Sequence, residues 1–155
     1  MIGAYRIKDG LRIGAYLDQN LSASNPNGIT SMSNATPMGG LFGVWSERAD
    51  GVGAELKLSL GYNNKAMTVD RPVIGVSEPG SGSTNLTSQG GAVVAKYGVE
   101  AGGRMTLTPY VGLRYTQNNM GGYTEGSSAS VTAPLTYSAV NTNATTVVAG
   151  LGANY

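Results

Sequence analysis

The sequence predicts an all-β protein: an antiparallel up-and-down meander that forms part of a transmembrane β-barrel of the outer-membrane type, with about six to seven strands. Three observations carry this. Apolar and polar residues alternate with period two in at least five segments. The connections between those segments alternate between short and long. The composition, with 24 Gly and only 12% charged residues, suits strands and turns better than helices.

The first segment, Met1 to Ile7, is the stump of a strand, closed by a tight turn at Lys8 to Gly10. "LRIGAYL" then sets Leu11, Ile13, Ala15 and Leu17 against Arg12, Gly14, Tyr16 and Asp18. A long polar segment from Asp18 to Met38 follows, and "GGLFGVWS" reads as a strand with Leu41, Gly43 and Trp45 outward. After the tight turn Ser46 to Gly51, "VGAELKLSLGY" sets Val52, Ala54, Leu56, Leu58, Leu60 and Tyr62 against Gly53, Glu55, Lys57, Ser59 and Gly61. A second long segment runs from Asn63 to Ser88. In "GGAVVAKYGVEAG", Val93, Ala95, Tyr97, Val99 and Ala101 oppose Ala92, Val94, Lys96, Gly98 and Glu100.

Gly102 to Arg104 is tight again. "MTLTPYVGLRYT" places Met105, Leu107, Pro109, Val111, Leu113 and Tyr115 on one face and Thr106, Thr108, Tyr110, Gly112, Arg114 and Thr116 on the other. A third long segment spans Gln117 to Ala144, and "TTVVAGLGANY" closes with Val147, Ala149, Leu151, Ala153 and Tyr155 on its apolar side.

A soluble β-sandwich also alternates, so alternation alone does not place the apolar face in lipid. The small polar face of Gly, Thr and Ser suits a hydrated barrel interior, and the apolar faces end in Tyr62, Tyr97, Tyr115 and Tyr155, as interfacial aromatic girdles do. Short turns at one end and long loops at the other are the arrangement of outer-membrane barrels. In hydrocarbon each backbone N–H and C=O must be paired, which a meander of sequential hairpins achieves. Single-chain outer-membrane barrels start at about eight strands, so either strands lie hidden in the long segments or the chain is a piece of a larger barrel. The start has neither an apolar h-region nor a cleavage site, which favours the piece.

Catalytic chemistry finds little here. The chain has no His and no Cys, which excludes Ser/His/Asp and Cys/His nucleophilic arrangements and thiolate metal sites. "EPGSGSTN" lacks the Lys of a phosphate-binding loop. No enzyme, cofactor or metal site is expected. A net charge of +1 with scattered Lys and Arg gives no reason to expect nucleic acid. The charges of the polar face are Arg12, Glu55, Lys57, Lys96, Glu100 and Arg114. They are expected to line the pore, because an Arg or Lys facing lipid at the midplane costs about 2–4 kcal/mol. Trp45, Tyr62, Tyr97 and Tyr115 are expected as outward interfacial anchors.

On "LTPYVGLRYTQNNMGGYTEG" (Leu107 to Gly126), "APLTYSA" (Ala133 to Ala139) and "LTSQGGAVVAKYG" (Leu86 to Gly98), the chain resembles the autotransporter β-domain, the translocator of type V secretion. The upstream order "GLRIGAYLDQN", then "GGLFGVWSERADGVGAELKLSLGYNN", is similar to the middle of that domain. The resemblance implies residues 1–155 as one partial barrel domain, an internal portion of about half of a twelve-stranded translocator. It also implies a place in the bacterial outer membrane and export or anchoring of an N-terminal passenger polypeptide. The implied partners are outer-membrane lipid, the passenger and the barrel assembly machinery. Tyr155 is then not a terminal aromatic recognised by that machinery. The alternatives are a small self-contained outer-membrane barrel acting as a pore or adhesin, and a soluble all-β binding domain.

Overall fold

The computed structural model describes residues 1–18, 30–32, 38–73, 75–103 and 105–154. Most of the segment between Asp18 and Met38, together with Arg104 and Tyr155, lies outside the described residues. Seven antiparallel strands form one sheet in the order β1-β2-β4-β5-β6-β7-β10. They are β1 (Ile2–Lys8), β2 (Leu11–Asp18), β4 (Met38–Ser46), β5 (Gly53–Arg71), β6 (Gly80–Glu100), β7 (Thr106–Met120) and β10 (Val140–Asn154). Three short pieces complete the set: β3 (Thr30–Met32), which adds to the outer end of β5, and β8 (Tyr123–Thr124) paired with β9 (Thr136–Tyr137). Along this path neighbours in sequence are neighbours in space. β1 and β10 are the edges and do not pair with each other, so the sheet is an open wall.

Local chemistry sets the short turns. Gly10, at φ 78°, lets Asp9 and Gly10 reverse the chain between β1 and β2, and its carbonyl accepts Ser46 N–H at 2.7 Å. In the β4–β5 turn the Asp50 carboxylate accepts Val52 N–H at 3.1 Å and pairs with Arg48 at 2.6 Å.

The strands run further than alternation shows. Asn63 to Arg71 and Gly80 to Ser88, expected as a connection, continue β5 and β6 as one ladder from Gly53↔Gly98 to Arg71↔Gly80. β7 likewise extends through Met120, and β10 begins at Val140. The physical reason is that "NNKAMTVDR" lies beyond the apolar band, where neither face has to meet hydrocarbon. The backbone stays paired, but no apolar side is required to mark it.

The two faces of the wall differ sharply. Rows such as Tyr5, Ile13, Gly43, Leu58, Val93, Leu113 and Val147 run across all seven strands on one side. Their side chains stand in the open: Leu58 is 51%, Leu60 52% and Leu151 67% exposed. Among the described residues only Met67 and Val131 are buried hydrophobics. A water-soluble sheet buries such a face in a core; here nothing among the described residues packs against the apolar side.

Beyond Leu86, where β7 ends its pairing with β6, the β5–β6 hairpin rises further, with the short β3 on its β5 side. Gly80 to Asn85 adds about 20 Å at the rise of a strand. The stretch between β7 and β10 folds onto it. Arg71 donates from Nε and a terminal nitrogen to the two carboxylate oxygens of Glu125 at 2.9 and 2.8 Å, and Leu135 N–H adds a third bond at 2.9 Å. Glu78 accepts from Thr132 N–H at 2.7 Å, Thr132 hydroxyl at 2.5 Å and Ala133 N–H at 3.0 Å. Tyr123 stacks on Tyr137 with ring centroids 4.8 Å apart.

These donors, Arg71 first, pull the Glu125 carboxyl down to about 2, and those on Glu78 lower that group too. Both carboxyls are held below the ordinary value, so their contribution to the assembled head is fully present above pH 4.5 and is lost in acid, that of Glu125 only as pH falls toward about 2. Protease nicking between residues 126 and 136 is expected to stay slow from pH 7 to pH 5 and to quicken only in stronger acid. Nicking already fast at pH 5 would contradict this.

Candidate functional site

The other face of the wall carries the charge. Strand register fixes it: Arg6 lies opposite Arg12, Arg12 opposite Val44, Val44 opposite Lys57 and Lys57 opposite Val94. One row nearer the short turns, Ser46, Glu55, Lys96 and Tyr110 are cross-strand neighbours. Arg114 stands between Ala92 and Thr146, and Glu100 faces Thr106 at the short-turn end. Period two therefore brings all six predicted site residues, Arg12, Glu55, Lys57, Lys96, Glu100 and Arg114, to a single face.

Only three of them touch. Glu55 Oε1 sits between the ammonium groups of Lys57 at 3.3 Å and Lys96 at 3.4 Å. One carboxylate oxygen shared by two cations leaves this cluster net positive. Among the described residues no salt bridge joins Arg12, Glu100 or Arg114, whereas Arg6 pairs with Asp9. None of these groups faces a base or nucleophile in a catalytic arrangement, and no set of three metal-ligating residues occurs among the described residues. The arrangement offers a hydrated, mixed-charge surface with an excess of cations.

A second feature of this face went unread in the sequence. Tyr16 lies flat across Gly40 and Gly61, its cross-strand neighbours on β4 and β5: a Cβ at Gly61 would stand 2.7 Å from the Tyr16 hydroxyl, and one at Gly40 would meet both the Tyr16 ring and the Leu60 carbonyl. Phe42 covers Gly14 in the same way, and Tyr110 covers Gly150, where a Cβ would lie 2.6 Å from its Cζ. Each ring fills the volume that a neighbouring glycine leaves empty and shields its backbone. The signal was present as an aromatic residue at a polar-face position opposite glycine. It shows only once the register is known.

On the apolar face Trp45 and Tyr97 stand near the short turns, Tyr62 and Tyr115 near the long loops, all exposed. Tyr97 pairs with Ala54, and the run from Ala54 to Tyr62 is about 27 Å along the strand, or about 20 Å across a bilayer at a strand tilt near 40°. An apolar band of that height between two aromatic levels fits the outer-membrane belt of about 25 Å. From the level of Tyr62 the residues of this face turn to amides, with Gln89 donating to Gln117 at 3.0 Å and Gln117 to Asn119 at 3.3 Å. No helix of the described residues is long and apolar enough to cross a membrane, and strands do not need one.

The family model described as autotransporter beta-domain matches residues 3–155. The chain belongs to the autotransporter β-domain family. Neither a curated protein nor a solved structure matches it. Autotransporter β-domains are translocator barrels of the bacterial outer membrane, and the antiparallel meander with its outward apolar face is the wall of such a barrel. In this autotransporter β-domain the apolar and the charged residues thus occupy opposite faces of one sheet.

Proposed function

We propose that this chain is a single partial barrel domain whose polar face lines the pore of an autotransporter translocator. Arg12, Glu55, Lys57, Lys96, Glu100 and Arg114 present a polar, net-cationic wall to the passenger polypeptide during export or anchoring. The protein acts without catalysis, and its partners are outer-membrane lipid on one side, the passenger on the other, and the barrel assembly machinery during insertion. The observation that carries this reading is the division of the faces: each described charge between Gly53 and Glu100 within the membrane band lies on the face opposite Leu56, Leu58 and Leu60.

Val93 and Val94 supply the test, since they are identical side chains on opposite faces of β6. In the full-length protein, a photo-crosslinking residue at Val94 is expected to trap passenger during export, and one at Val93 is not. Equal capture at both, or capture at Val93 alone, defeats the pore assignment. A smaller effect follows from the charges. Glu55→Lys adds a third cation beside Lys57 and Lys96, and the reversal potential of the reconstituted pore should shift further toward anion preference. An unshifted potential would remove Glu55 from the lumen.

A further inference from the structure

The head at the long-loop end is built inward. Residues 121–139 begin beside the β5–β6 hairpin and then cross onto one of its faces. Gly121 N–H donates to Asn85 C=O at 3.0 Å and Gly126 N–H to Ser81 C=O at 2.9 Å, so the segment first follows the free edge of β6. From there its side chains cross to one face. The Tyr123 ring occupies the space above Gly82, and the Glu125 carboxylate the space above Gly80, where any Cβ would collide with it. Thr84 donates its hydroxyl to Gly121 C=O at 2.6 Å.

Counting along the ladder identifies that face. Gly80, Gly82 and Thr84 are an even number of residues from Lys96 on β6, and Arg71 is an even number from Glu55 on β5. All four therefore project on the charged side of the wall. Glu125 is only 4% exposed there, held by Arg71, Leu135 N–H and the Tyr137 hydroxyl at 3.4 Å. A buried carboxylate with a bidentate guanidinium and a backbone donor is a specific fastening, in which loss of either partner leaves the other charge uncompensated.

We propose that residues 121–139 form a built-in cover over the outer mouth of the pore, latched to the β5–β6 hairpin by Arg71 and Glu125. The cover rests on the assignment of the charged face to the lumen: with that face inward, Tyr123 over Gly82 and Glu125 over Gly80 lie on the side of the opening. Glu78 is the second clasp, gripping the strap at Thr132 and Ala133. Passage of a polypeptide then requires the strap to swing off Gly80 and Gly82, and relatching closes the mouth afterwards.

The chain has no cysteine, so a single thiol reports cleanly. Ser88→Cys places one on the charged face below the head, opposite Asn63 and Asn118. In the full-length protein on intact cells, a small membrane-impermeant maleimide is expected to label this thiol readily, whereas a polymer-linked maleimide labels it slowly. Adding Glu125→Ala should speed the polymer reagent roughly tenfold or more and leave the small reagent unchanged. Tyr123→Ala, which spares the ion pair, should do the same to a lesser degree, and it carries the test if heat-modifiable migration shows that Glu125→Ala has not folded. Equal rates for the polymer reagent with and without these substitutions overturn the cover while leaving the pore intact. Failure of even the small reagent to reach the thiol in each variant overturns the lumenal assignment, and the cover with it.

Discussion

Leu58→Arg is expected to prevent most of the protein from inserting, while Ser59→Arg, one residue along the same strand, leaves insertion near normal. Leu58 is half exposed in the middle of the apolar face, in a row with Gly43 and Val93, and has no polar partner within its row. A guanidinium there would have to sit in hydrocarbon at a cost of about 2–4 kcal/mol, enough to lower the folded/unfolded ratio by about one and a half to three orders of magnitude. Ser59 points the other way, between Phe42 and Ala92, with Arg114 the next residue across the sheet. An arginine there meets water and can lie along the Phe42 ring. The heat-modifiable fraction after assembly, measured for both variants side by side, separates the outcomes. Similar folded fractions would mean that the outward face does not meet lipid.

The second large effect concerns glycine. Gly40→Val is expected to destabilise the folded wall by about 1–3 kcal/mol, the range for forcing extra atoms into filled space. Its new Cβ would collide with the Tyr16 ring and the Leu60 carbonyl, and neither can retreat without breaking register. Gly43→Val is the control. It lies three residues further along β4 but faces outward, where a Cβ meets only the Arg12 carbonyl at 4.0 Å. Valine there also gains strand propensity. The temperature at which the compact form is lost on a gel should fall for Gly40→Val and hold or rise for Gly43→Val. A drop of the same size in both would show that glycine is needed only for backbone freedom, with the Tyr16 contact irrelevant.

Within the membrane band the fold was legible because lipid enforces a rule on side chains. Leu56, Leu58 and Leu60 must be apolar and their alternate neighbours need not be, so the period is written in the residues themselves. Above Tyr62 that rule lapses. Asn64, Ala66 and Thr68 face outward as Leu56 and Leu58 do, yet nothing in their chemistry says so, and the strand there is visible only in its backbone pairing. The head was illegible for a different reason. Arg71 and Glu125 stand far apart in sequence, and no local pattern announces that one will clasp the other. Of the six polar-face charges, their common face followed from parity. The clustering of Glu55 with Lys57 and Lys96, and the isolation of Arg12, Glu100 and Arg114, required the register between strands.

The long ladder of β5 and β6 also bears on the order of events during biogenesis. The tip of this hairpin, with Asp70, Arg71 and Glu78, lies at the end of the sheet opposite the short turns, so in a barrel that spans the bilayer its charges must cross during assembly. Three separate formal charges make poor cargo for that transit. Pairing Arg71 with Glu125 beforehand neutralises two groups at once and hides one of them from solvent, which makes the hairpin and the strap a single parcel. The pair thereby ties β5, β6, β7 and residues 121–139 into one unit, with β1, β2 and β4 flanking it on one side and β10 on the other.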